Sequence, residues 1–121
     1  MGYRSEVAAV IYGDARDSEK YALLKTLMNT TFKEVYTEFE GTAEWHDDKC
    51  VLEFRMMGVK WYDSYPDVNR FMTMLAEIGY IEGFNYEFLR VGEDVDDVDV
   101  QSNGECVTYM LGVTRRIEVD L

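Results

Sequence analysis

The segment with the strongest chemical character runs from residue 91 to residue 105. It holds six acids (Glu93, Asp94, Asp96, Asp97, Asp99 and Glu105), no Lys or Arg, and valines at 95, 98 and 100 between them. Oxygen-rich segments coordinate hard cations, so a calcium loop is the first chemistry to test. An EF-hand loop begun at Asp94 puts Asp99 where glycine is needed and Val98 in a ligand slot; begun at Asp97 it puts Thr108 where the bidentate Glu belongs. Both registers fail. A calcium site of another form stays open, and the other chemistry is electrostatic. Valines that anchor the segment to a core would leave the carboxylates as a fixed array, which attracts a basic surface and can stand in for the phosphates of a nucleic acid. The bland alternative is a solvated loop that keeps the chain soluble.

The second cluster is Lys60-Trp61-Tyr62-Asp63-Ser64-Tyr65-Pro66. Trp and Tyr combine large contact area with a polar tip and so serve as anchors at recognition sites. Trp61 reads better as a lid on the core, while Tyr62 and Tyr65 join the acids as candidate partner-binding residues. The expected binding set is therefore Glu93, Asp94, Asp96, Asp97, Asp99, Tyr62 and Tyr65.

Enzyme signatures are sparse. The glycines from Gly13 to Gly112 occur singly, so there is no phosphate-binding loop, and no serine lies in a nucleophile elbow. One histidine, His46, and two distant cysteines, Cys50 and Cys106, fall short of a zinc set. His46 reads as a surface residue of a turn, and both cysteines read as reduced core residues inside apolar runs. No catalytic residue, metal ligand or cofactor is assigned. Carboxylate acid–base catalysis stays as a minor rival, because so many acids always offer some pair.

Composition narrows the partners. The 121 residues carry 12 Lys+Arg against 24 Asp+Glu, a formal net charge of −12. That charge repels nucleic acid and the anionic leaflet of a membrane alike, so direct binding to either is not expected. With 47% apolar and 14% aromatic residues the chain can bury a core, and its length suits one domain over 1–121. No signal-peptide pattern opens the sequence, so a cytoplasmic location is expected.

The elements that must position these groups follow from periodicity. Tyr3 to Tyr12 reads as a strand ending at Gly13-Asp14. From Asp17 apolar residues recur with helical spacing through Phe39, interrupted at Asn29-Thr30-Thr31 and closed by Gly41. Residues 44–56 read as two strands around a turn at Asp47-Asp48, the second alternating as a half-buried strand. Pro66 opens a helix with a stripe of Val68, Phe71, Met72, Leu75 and Ile78, stopped by Gly79. Period two returns at Phe84, and Cys106 to Val113 alternates after a turn at Ser102-Asn103-Gly104. The order β-α-β-β-α-β-β-β implies an α+β domain. Its single antiparallel sheet would carry two helices on one face, and a ferredoxin-like split β-α-β is one arrangement that achieves this.

Three blocks carry a resemblance: Met1-Gly2-Tyr3-Arg4-Ser5-Glu6-Val7, Val59-Lys60-Trp61-Tyr62-Asp63-Ser64-Tyr65-Pro66-Asp67-Val68, and Tyr86-Glu87-Phe88-Leu89-Arg90-Val91-Gly92-Glu93-Asp94. In these the chain resembles a family of small uncharacterised proteins of bacteriophages and other mobile elements. The resemblance implies accessory-gene company, in which proteins of this size bind and block host proteins; it assigns no residue roles. The expectation is a non-enzymatic, acidic, protein-binding module that inhibits or modulates a host protein with a basic surface from the host cytoplasm. The rivals are a small-ligand or metal-binding α+β module, and a homodimer formed along an unpaired strand edge.

Overall fold

The computed structural model describes residues 3–94 and 96–103, together with the strand backbones 111–113 and 117–119. Strand β1 (Ser5–Gly13) is followed by helices α1 (Ser18–Asn29) and α2 (Lys33–Phe39) and a 3-10 turn (Glu40–Thr42). Then come β2 (Ala43–His46), β3 (Val51–Val59), α3 (Pro66–Tyr80), β4 (Phe84–Val91), β5 (Val98–Ser102), β6 (Leu111–Val113) and β7 (Ile117–Val119). The expected break at Asn29-Thr30-Thr31 divides α1 from α2. Thr30 and Asn29 return side-chain bonds to the carbonyls of Thr26 and Lys25, which compete with continuation of the helix.

Helix starts follow local chemistry. The Asp17 carboxylate accepts from the Lys20 amide at 2.8 Å and caps α1. Pro66 begins α3, where its missing N–H costs nothing.

The main sheet has the order β2-β3-β1-β4-β5, every neighbouring pair antiparallel. With β1 between β3 and β4, and helices crossing from β1 to β2 and from β3 to β4, this is the split β-α-β arrangement with a fifth strand added at one edge. One face carries the core. Val7, Ala9 and Ile11 of β1, Leu52 and Phe54 of β3 and Phe88 of β4 meet Leu24 and Met28 of α1 and Phe71, Leu75 and Ile78 of α3. Phe71 sits at the centre, with ring centroids 4.7 Å from Phe39, 5.2 Å from Phe54 and 5.6 Å from Trp61. Trp61 is half-buried against this core, as a lid should be.

The opposite face departs from the half-buried expectation for β3. Ala8, Val10, Val51 and Leu89 form a second buried cluster there, and Glu53 and Glu87 are buried with them. Strands β6 and β7 pair with each other and approach β4 and β1. A sheet with a second layer loses the alternation that an open face would show. Expectations for Val95, Glu105, Cys106 and Arg115-Arg116 lie outside the described residues.

Cys50 also differs from its expected core position. It is half-buried at the end of the β2–β3 turn, with φ of 56°, after a turn closed by the Lys49 amide donating to the His46 carbonyl at 3.1 Å. A non-glycine residue held there costs roughly 1–2 kcal/mol, against about 0.5–1 kcal/mol of extra chain entropy for glycine. Cys50→Gly is therefore expected to stabilise the fold by about 0.5–1 kcal/mol. Denaturant unfolding checks this through a higher midpoint at unchanged slope; a lower midpoint contradicts it.

Candidate functional site

Three chain segments meet at one end of the main sheet: the approach to β1, the exit from β3 and the exit from β4. Arg90, near the end of β4, lies opposite Val7 of β1 and Asp99 of β5. Its guanidinium grips Asp97 with two bonds, Nη2 to Oδ1 at 2.6 Å and Nη1 to Oδ2 at 3.0 Å. The backbone closes the same loop: the Gly92 amide donates to the Asp97 carbonyl at 2.8 Å, and the Asp97 amide to the Asp94 carbonyl at 3.0 Å.

Tyr3 completes the clasp. Its hydroxyl accepts from the Asp94 amide at 3.0 Å and also bonds to the Asp97 carboxylate. The Tyr62 hydroxyl accepts from the Tyr3 amide at 2.7 Å and donates to the Tyr3 carbonyl at 3.2 Å. The neighbouring Arg4 amide donates to the Glu93 carboxylate at 2.8 Å. Gly92 is needed for this close approach, since a Cβ there would overlap both the Asp97 carboxylate and the Tyr3 hydroxyl.

The acidic segment is thus fixed, but by a different agent from the one expected. Val98 and Val100 are 40% and 39% exposed and do not anchor it. The anchor is Arg90 on Asp97. Asp97 is half-buried in this pair, its side chain 32% exposed, and Asp99 is half-buried too, while Glu93, Asp94 and Asp96 remain exposed. Among the described residues no Lys or Arg side chain pairs with Glu93, Asp94 or Asp96.

The structure brings the aromatic candidates to the same place. Tyr62, Asp97 and Asp99 line one hollow of about 260 Å³ together with Tyr3, Trp61 and Arg90. Tyr65 packs edge-on against Tyr62, ring centroids 5.1 Å apart, and is 39% exposed. Residues from the segment after β3 and the loop after β4 therefore form one surface of carboxylates beside phenol rings. Tyr3 and Arg90 shape this surface, and neither stands out as a candidate from the sequence alone. Arg90 facing Asp97 across a glycine-led loop was the available signal.

A second polar cluster lies on the helix-free face, where His46 is more enclosed than a surface turn residue. Its side chain is 21% exposed, and its Nε2 is 2.7 Å from Glu53 Oε1 and 3.6 Å from Glu44 Oε2. Comparison with models of protein families, with curated proteins and with solved structures found no match to the chain.

The clasp has a pH signature. Hydrogen bonds from Arg90, then from Tyr3, lower the Asp97 pKa from 3.8 to about 2. A depressed carboxylate pKa contributes stability that is present above the ordinary value and lost as pH falls through the folded-state value. Asp97→Asn is expected to be less stable than the parent at neutral pH, with the difference closing between pH 3.8 and about 2. Unfolding midpoints across that range check it; a gap that persists at the acid end contradicts it.

Proposed function

We propose that the chain is a non-enzymatic, acidic protein-binding module. Its exposed carboxylates at Glu93, Asp94 and Asp96, with Asp99 beside them, meet a basic surface of a partner protein, and Tyr62 and Tyr65 supply the contact that excludes water. The observation that carries this reading is the clasp: Arg90 and Tyr3 hold the acidic loop in one shape next to two tyrosines, so the negative charges form a pattern rather than a cloud. Fixed charges steer encounter, and a desolvated aromatic anchor slows dissociation. Pre-ordering also lowers the entropy lost on docking.

A spaced row of carboxylates suits a surface built for phosphates, so the favoured partner is a nucleic-acid-binding protein, and occupancy of its groove inhibits it. The resemblance of the three sequence blocks to phage and mobile-element proteins makes a host protein the partner in this reading. Net charge of −12 disfavours nucleic acid itself as the ligand.

The test is affinity capture on the immobilised full chain from bacterial lysate, followed by kinetics with the captured protein. Binding is expected to fall steeply with added salt. Neutralising Glu93, Asp94 and Asp96 together (Glu→Gln, Asp→Asn) should cut the association rate about tenfold. Tyr65→Ala should chiefly raise the dissociation rate, and Gly92→Ala, which keeps every charge, should weaken binding by disordering the array. Binding that ignores salt and the triple neutralisation refutes the electrostatic reading. Binding untouched by Gly92→Ala refutes the need for a fixed array.

A further inference from the structure

Glu44 and His46 are two residues apart on β2 and so share a face, while Glu53 of β3 lies directly opposite Glu44 on that same face. One donor atom from each residue converges: His46 Nε2 with a carboxylate oxygen of Glu44 and of Glu53, all within 4.8 Å of one another. Zinc bonds of about 2.0–2.1 Å in a tetrahedron set ligand atoms roughly 3.3 Å apart. The observed 2.7 and 3.6 Å separations need only small side-chain adjustments to meet that spacing.

Burial grades the three donors. Glu53 is 10% exposed and His46 21%, so the sheet holds both, whereas Glu44 is 71% exposed and can swing in from the edge strand. Charge points the same way. Two carboxylates directly opposite each other repel, and a cation seated between them relieves that repulsion.

We infer that Glu44, His46 and Glu53 form a binding site for a divalent transition cation of the zinc class. One imidazole and two carboxylates match the donor preferences of such ions better than those of calcium, which takes oxygen alone. Three protein donors leave a fourth tetrahedral position for water or an outside ligand. The site is independent of the acidic loop.

The test is titration of the full chain with Zn²⁺ by calorimetry, with Co²⁺ absorption as a second probe and melting temperature with and without EDTA as a third. One equivalent is expected to bind and to raise the melting temperature, reversibly with chelator. Glu44→Gln should weaken affinity about tenfold or more and leave the metal-free protein equally stable, because Glu44 is exposed. His46→Gln should abolish binding, while Cys50→Ser and Asp94→Asn/Asp96→Asn should leave it unchanged. Absence of binding overturns the inference. So does affinity that survives Glu44→Gln and His46→Gln, or that depends on Cys50 or the loop acids.

Discussion

Strand β1 is buried on both faces and hydrogen-bonded along both edges, and the placement of the His46 cluster and of the Arg90 clasp follows from that constraint. Val7, Ala9 and Ile11 pack into the helical core, while Ala8 and Val10 are enclosed on the other side. In the register Val10 is flanked by Glu53 of β3 and Glu87 of β4. A buried carboxylate without a partner is costly. Each therefore has one: Glu53 the His46 ring at 2.7 Å, Glu87 the Tyr12 hydroxyl at 2.6 Å. The His46 cluster exists because a central strand packed on two sides leaves its neighbours' acids nowhere to go but toward one another's hydrogen-bonding groups.

The same register builds the clasp. Because β1 pairs with β3 and β4 along its length, the segment before β1, the Trp61-Tyr62 exit of β3 and the loop after β4 converge at one end of the sheet. Arg90 shares the helical face with Val7, which directs its guanidinium toward the loop that follows its own strand. A bidentate guanidinium–carboxylate pair fixes orientation as well as distance. The Tyr3 hydroxyl and two backbone bonds support that pair in shaping the described part of the loop.

Much of this was legible in the sequence. The break after Asn29, the Asp17 cap, Pro66 at the start of α3 and the α+β layering all follow from local chemistry and from hydrophobic period. The candidate acids and tyrosines were also visible, though not their adjacency, which depends on long-range strand register. Two readings differed for physical reasons. The valines at 98 and 100 suggested anchoring by apolar burial, whereas a charged pair anchors the loop and leaves them exposed. His46 and Cys50 were read from their immediate neighbours. The pairing of Glu44 with Glu53 follows only once the turn fixes the β2–β3 register, and the approach of β6 and β7 to β4 and β1 is a long-range contact.

The central claim is that the acidic loop holds one conformation in the free protein. Amide hydrogen exchange at Gly92 and Asp97 measures this most directly, since those N–H groups close the loop. The structure predicts exchange at least about tenfold slower than in a free chain, at both amides. Exchange at the free-chain rate there, with the amides of β1 still protected, would contradict it.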